Sequence, residues 1–237
     1  MKIIRITTIP ISLNLLISGQ MKFMAESGFE VIMVSANGKE IKEVLKKENC
    51  PHHIIPFTRK ISPLQDLYCL FLLTKLILKE KPNIIHTHTP KAGLLGMLAA
   101  KICRIKVKLH TVAGLPLMTA SGLKKKLLIA IEKLTYWSAD VVLPNSNSIR
   151  KYIITNNFLP ERKVHIIGNG SSNGIDLKRF SKNQLIDNEI QKVKNSINYQ
   201  KDAFYITSIG RIVKDKGVIE LVNAFLKLKK DYPILKL

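Results

Sequence analysis

From Met1 to about Gly168, short runs of apolar and β-branched residues alternate with longer stretches whose apolar side chains recur every three to four positions. Continuous apolar runs of this length suit strands buried on both faces, and the longer period suits helices covering them. The pattern predicts strands at KIIRIT (2–7), EVIMVS (30–35), HHIIPF (52–57), NIIHTH (83–88), KVKLHT (106–111), DVVLPN (140–145) and KVHIIG (163–168). Helices are expected between most of them, over 13–27, 40–47, 64–80, 91–102, 123–138 and 146–156. Strand then helix, repeated, gives an α/β fold: a doubly wound, Rossmann-like parallel sheet.

The alternation stops near Asn169, where GNGSSNGIDLKRFSKN introduces turn residues and then a polar helix candidate reaching about Asn198. A new strand, 203–210, enters the turn GRIVKDKG and a helix over 218–230, and PILKL begins another strand. The expected organisation is a first domain over 1–176, a linker over 177–201 and an incomplete second domain over 202–237. One helix and one or two strands cannot enclose a core of their own.

Composition narrows the class. The chain has 237 residues, 46% of them hydrophobic, enough for a buried core. Its net charge is +21, and residues 101–180 hold 14 Lys/Arg against 4 Asp/Glu, so an anionic partner is expected: nucleic acid, a phospholipid surface or a phosphorylated small molecule. Cys50, Cys69 and Cys103 are scattered without metal-ligand or disulfide spacing, which fits a reducing cytoplasm. The basic, apolar start resembles a signal peptide but opens on β-rich KIIRI and lacks a small-residue cleavage site, so it reads as a core strand. The most apolar segment, 64–78, is too short to span a bilayer and carries Asp66 and Lys75.

In open parallel sheets ligands bind beyond the carboxyl ends of the strands. The first such loop, Thr7–Ser12, has no glycine, which disfavours a dinucleotide fingerprint. GNGSSNG (168–174) lacks the third glycine and reads as a tight turn. In His86-Thr87-His88-Thr89-Pro90-Lys91-Ala92-Gly93, Thr89 and Pro90 predict a helix start whose free N–H groups favour anions. His86 reads as structural. His88, at the strand exit, either hydrogen-bonds a sugar or phosphate or serves in capping and packing. No carboxylate or cysteine nearby completes a metal site with the histidines. The loop His110–Pro116 reaches the same edge, where Gly114 allows either a close ligand approach or an ordinary turn. The helix beginning Gly122-Leu-Lys-Lys-Lys-Leu is basic and amphipathic, suited either to an anionic lipid surface or to core packing with a solvated lysine face. In the turn 210–217, glycines permit the bend while Arg211 and Lys216 can clamp a diphosphate; a solvent-exposed basic turn is the alternative.

Taken together, H-T-H-T-P-K-A-G (86–93), H-T-V-A-G-L-P (110–116), N-G-I-D (173–176) and G-R-x-x-x-x-K-G (210–217) resemble retaining family 4 glycosyltransferases, and GNGSSNGID is similar to bacterial enzymes of capsule, O-antigen and lipid-carrier glycan assembly. The resemblance implies a GT-B fold, with acceptor held by the first Rossmann-like domain and donor by the second. It implies transfer of a sugar from a nucleotide-diphosphate sugar to a polyprenyl-diphosphate-linked or glycan acceptor in the cytoplasm, at the inner face of the membrane. Gly210, Arg211 and Lys216 match the donor diphosphate site, with no metal or cofactor expected; His88, Lys91 and Gly114 belong to the acceptor cleft. His88 and His110 are the candidates for catalysis, but Ala113 stands where many relatives have the sugar-contacting histidine, leaving the catalytic residue unassigned. The family's paired glutamates would fall beyond Leu237, so a truncated chain is expected. A nucleic-acid-binding basic protein and a non-catalytic glycosyltransferase remnant are the alternatives. Aromatic residues are only 6% of the chain and no nucleic-acid motif accompanies the lysines, so nucleic acid is not the expected partner.

Overall fold

The computed structural model describes residues 1–237 apart from the side chain of Asp215, in two compact units, Met1–Gly174 and Ile175–Leu237. The first unit is built on a six-stranded, wholly parallel sheet of β1 (Lys2–Ile6), β2 (Glu30–Ser35), β3 (His52–Ile54), β4 (Ile84–His88), β5 (Val107–Val112) and β6 (Val141–Pro144). The order is β3-β2-β1-β4-β5-β6, so the winding reverses between β1 and β4. This is the Rossmann-like arrangement expected from the strand–helix alternation.

Alternation along each strand divides the core in two. Ile4, Ile6 and Ile85 face a large cluster with α3 (Pro63–Glu80), α4 (Pro90–Ile102) and α5 (Gly122–Ser138), to which α6 (Asn147–Thr155) adds Ile153. Ile3, Val31 and Met33 face a smaller cluster completed by Leu13, Ile17, Met21 of α1 (Gln20–Glu26) and Val44 of α2 (Ile41–Glu48). Each such fully buried aliphatic side chain contributes about 1.5–3 kcal/mol.

In the first unit the strand expected over 52–57 is shortened to β3, and two further expected elements differ in kind. The helix expected over 13–27 is a π-turn, Ser12–Leu16, and then α1, because Gly19 takes a left-handed φ of 79° between them. The strand expected over 163–168 is reduced to a single bridge from Val164 to Val142; Ile167 is exposed and the chain turns away at Gly168 and Gly170, both with positive φ. Gly170 cannot be replaced cheaply, since a β-carbon there would lie 2.4 Å from the Asn145 carbonyl oxygen. GNGSSNG is thus a tight turn docked on the end of β6.

The second unit contains α7 (Asp187–Ser196), β7 (Phe204–Tyr205), α8 (Val218–Asp231) and β8 (Leu235–Lys236), with β7 and β8 paired in parallel. The strand expected over 203–210 is thus only two residues long. Leu235 is this unit's one buried hydrophobic among the described residues, while Phe204, Ile209 and Ile212 are exposed.

Candidate functional site

At the switch point between β1 and β4 the two strand exits are tied together by threonines. The hydroxyls of Thr8 and Thr89 are 2.7 Å apart, and Thr89 Oγ1 accepts from the Thr8 N–H at 3.1 Å. Thr89 therefore does not cap α4 with its side chain. Thr8 does so instead, accepting from Ala92 N at 3.3 Å. Thr89 has a φ of 73°, a conformation disfavoured for a β-branched residue and held here by these contacts.

The histidines separate by face. His110 pairs in register with Thr87, and its Nδ1 lies 2.8 Å from the Thr87 hydroxyl. It points under α4 against Gly93, where a β-carbon would come within 2.4 Å of its ring. Burial pushes the pKa of His110 down to about 4, opposed in part by hydrogen bonding to the Thr87 backbone. His110 is thus neutral and enclosed in the core.

His86 and His88 lie on the opposite face, their ring centroids 4.3 Å apart, beside Arg5 of β1. Arg5 is fully buried. Its Nη2 donates to Gln20 Oε1 at 2.6 Å and contacts His88 Nε2 at 2.8 Å, and Nη1 approaches the Met24 sulfur at 3.1 Å. His86 Nε2 sits 2.8 Å from the Thr111 hydroxyl. Burial first, then the Arg5 charge, holds His86 well below the ordinary histidine range; for His88 the order is burial, His86, then Arg5. These residues line a cavity of about 280 Å³ with Gln20, Asn145 and Ser172. Gln20 is oriented by donating to Ser172 O at 2.6 Å and Asn173 Oδ1 at 2.8 Å.

Lys91 does not stand free at this edge. Its ammonium is 2.6 Å from Asp66 Oδ1, 3.0 Å from Thr58 Oγ1, and bonded to the Lys60 carbonyl, so its three donors tie the segment before α3 to the first turn of that helix. Gly114 is exposed, with no positive φ and no atom within 4 Å of a β-carbon built on it, so neither turn geometry nor packing demands glycine there.

In the second unit, Gly210, Arg211 and Lys216 line one cavity of about 490 Å³ with Ser208 and Thr207. The chain passes from this turn into α8 through Gly217, with φ 69°, and α8 begins at Val218. Two cations thus share a cavity beside a helix start, an arrangement that suits a doubly charged oxyanion.

Arg5, Gln20 and Thr8 were not singled out from the sequence. The signal for Arg5 was present: it is the one charge inside an apolar strand buried on both faces.

The sequence pattern of Glycosyltransferase Family 4 matches residues 20–179. The chain is 38% identical over 234 residues to the capsular polysaccharide biosynthesis glycosyltransferase CapM of Staphylococcus aureus, covering 98% of this chain and 59% of that protein. It is 23% identical over 208 residues to the UDP-Gal:alpha-D-GlcNAc-diphosphoundecaprenol alpha-1,3-galactosyltransferase of Escherichia coli, covering 86% of this chain and 51% of that one. Among solved structures, Anabaena Alr3699/HepE in complex with UDP and glucose superposes with a TM-score of 0.70 at 16% identity, over 96% of this chain and 58% of its own. The chain thus spans a little over half the length of these relatives.

Proposed function

This chain belongs to glycosyltransferase family 4, and from that premise we propose that it transfers a sugar from a nucleotide-diphosphate sugar to a polyprenyl-diphosphate-linked or glycan acceptor in surface-polysaccharide assembly. The observation that carries the reading is Arg211 and Lys216 lining one cavity at the start of α8. A departing nucleoside diphosphate gains negative charge in the transition state, and fixed cations stabilise it there. Gly210 gives the backbone room beside them, and the two cations take the part a metal ion would otherwise play. The UDP named with the HepE structure and in the Escherichia coli relative supports a uridine nucleotide as the donor's carrier.

On the acceptor side, the reading assigns Gly114 and the His88 edge of the sheet to substrate contact. His88 acts there as a neutral hydrogen-bonding group, because its Nε2 is engaged by Arg5. Acceptors carried on a lipid call for a membrane-facing surface. The first unit offers one on α5, where Leu123, Leu127, Leu134 and Trp137 are exposed along one stripe, flanked by Lys124, Lys126 and Lys133. No helix of the described residues is long and apolar enough to cross a membrane. We assign the chain to the inner face of the cytoplasmic membrane, held peripherally by this stripe; these anionic partners meet the positive charge without invoking nucleic acid.

Calorimetric titration with uridine diphosphate tests the donor assignment. Wild-type protein is expected to bind, with the affinity falling at least tenfold in Arg211→Ala and in Lys216→Ala while circular dichroism stays the same. Equal affinity in all three proteins removes the clamp.

A further inference from the structure

The first strand places a charge where its period calls for an apolar side chain. Ile3 and Arg5 share a face of β1, and Ile3 packs in the smaller core cluster. Arg5 is fully buried, yet no carboxylate lies within 4.0 Å of it among the described residues. Glu48 is the acid that acts on it at longer range, and its oxygens are committed to the backbone N–H groups of Gly19 and Lys22. A buried cation left without a counter-charge is costly. The partners Arg5 has are neutral, and one of them, the Met24 thioether, is a weak acceptor on a flexible chain.

Four buried side-chain polar atoms lack a hydrogen-bond partner among the described residues, and three of them, Arg5 Nε, His88 Nδ1 and Ser172 Oγ, belong to residues lining the 280 Å³ cavity beside α1. All three are donors or can be. Arg5 Nε always carries a proton. His88 Nε2 faces a guanidinium nitrogen and so accepts, which leaves the ring proton on Nδ1. The Ser172 hydroxyl carries a proton it can donate. Unpartnered donors around a positive charge are the complement of an anionic oxygen. We infer that this cavity is an oxyanion-binding site, in which a phosphoryl or carboxylate group of a small-molecule ligand accepts from Arg5, His88 and Ser172.

The group would enter by displacing the Met24 sulfur from Nη1, exchanging a weak acceptor for a charged one. Gln20 remains as the strut that fixes the guanidinium, since its amide is already held by the 172–173 backbone and side chain. The volume is ample: a water in the liquid occupies about 30 Å³, so a phosphoryl group and several waters fit. The site lies wholly in the first unit and does not rest on the transferase reading. If that reading holds, the ligand is an acceptor bearing a phosphate or an acidic sugar.

The test uses protein with 15N-labelled histidine, titrated at constant ionic strength in chloride with inorganic phosphate, pyrophosphate or glucuronate. The expected result is a saturable shift of the His88 Nδ1–H signal and a rise in melting temperature; phosphate arms alone responding assigns a phosphoryl ligand, glucuronate alone a carboxylate. Arg5→Met is expected to melt no lower than wild type without added anion, since it removes an uncompensated charge, and to lose the anion-dependent rise. Ser172→Ala should weaken binding severalfold, whereas Arg211→Ala should leave the His88 response intact, which separates this site from the donor clamp. Absence of a saturable His88 shift with all three ligands overturns the proposal, whatever the variants do. So does an Arg5→Met protein that keeps the wild-type anion response, or one that melts markedly lower in anion-free buffer.

Discussion

His110 fills the space that a side chain on Gly93 would need: a β-carbon built there would lie 2.4 Å from the imidazole Cε1. The contact joins the fifth strand to the second turn of α4, and the backbone of α4 cannot retreat without disturbing Ala92, Leu95 and Ala100, all buried in the same cluster. Gly93→Ala is therefore expected to destabilise the first unit by about 1–3 kcal/mol through overpacking. Urea denaturation would show this as a lower midpoint at unchanged slope. A midpoint equal to wild type would mean that His110 can rotate away freely.

The same enclosure sets a pH dependence. Burial holds His110 at about 4 in the folded chain, against an ordinary value of 6.5. A depressed histidine contributes stability that is fully present above 6.5 and is lost as pH falls through 4, because the unfolded chain takes up the proton first. That interval corresponds to roughly 3 kcal/mol for His110, and His86 and His88 shift in the same direction. Unfolding free energy should therefore fall steeply between pH 6.5 and 4. In His110→Gln, which can still bond to Thr87, the fall should be shallower by about that amount, and parallel curves for the two proteins would contradict it.

The sheet and its covering helices were legible because β-branched runs and helical repeats are local signals: β2 matches its expected bounds, and α3 to α6 lie within one or two residues of theirs. What failed was set by distant parts of the chain. Thr89 has the side chain of an N-cap, but the cap of α4 comes from Thr8 across the switch point, a partnership no local spacing encodes. For His88 the strand exit leaves ligand contact and packing both open; what local spacing does not encode is that strand alternation turns it onto the α1 face beside Arg5. Arg5 itself was hidden inside an apolar run whose average character dominated its one charge. Gly210, Arg211 and Lys216 were placed together because they lie in one turn, where sequence neighbours remain spatial neighbours.

Lys91 illustrates the difference between a cation near a site and a cation spent on structure. The pair with Asp66 leaves the two side chains only 12% and 20% exposed, and the remaining donors reach Thr58 and the Lys60 carbonyl. Lys91→Met should cost about 1–3 kcal/mol by leaving Asp66 half-buried without its partner. Amide exchange should quicken selectively over 58–66, with uridine diphosphate affinity unchanged. Protection equal to wild type across that segment would return Lys91 to the substrate-facing residues.

The outer face of α5 supplies the remaining prediction. Its inward side carries the buried Glu132, Thr135, Tyr136 and Ser138, yet a second stripe of Leu123, Leu127, Leu134 and Trp137 faces outward, with Trp137 60% exposed. Lysines at 124, 126 and 133 border that stripe, so apolar insertion and attraction to anionic headgroups act on the same helix face. The two terms can be separated by salt. Each lysine near an anionic surface is worth about 1 kcal/mol, roughly fivefold in partitioning, and this part is screened as ionic strength rises. Lys124→Glu with Lys126→Glu should therefore cut co-sedimentation with phosphatidylglycerol-containing vesicles at least twentyfold in low salt and much less at 0.5 M. Leu127→Asp should weaken it at both. Wild-type protein that fails to sediment with such vesicles, or variants that sediment as well as wild type, would leave the stripe without a lipid role and detach the membrane assignment from α5.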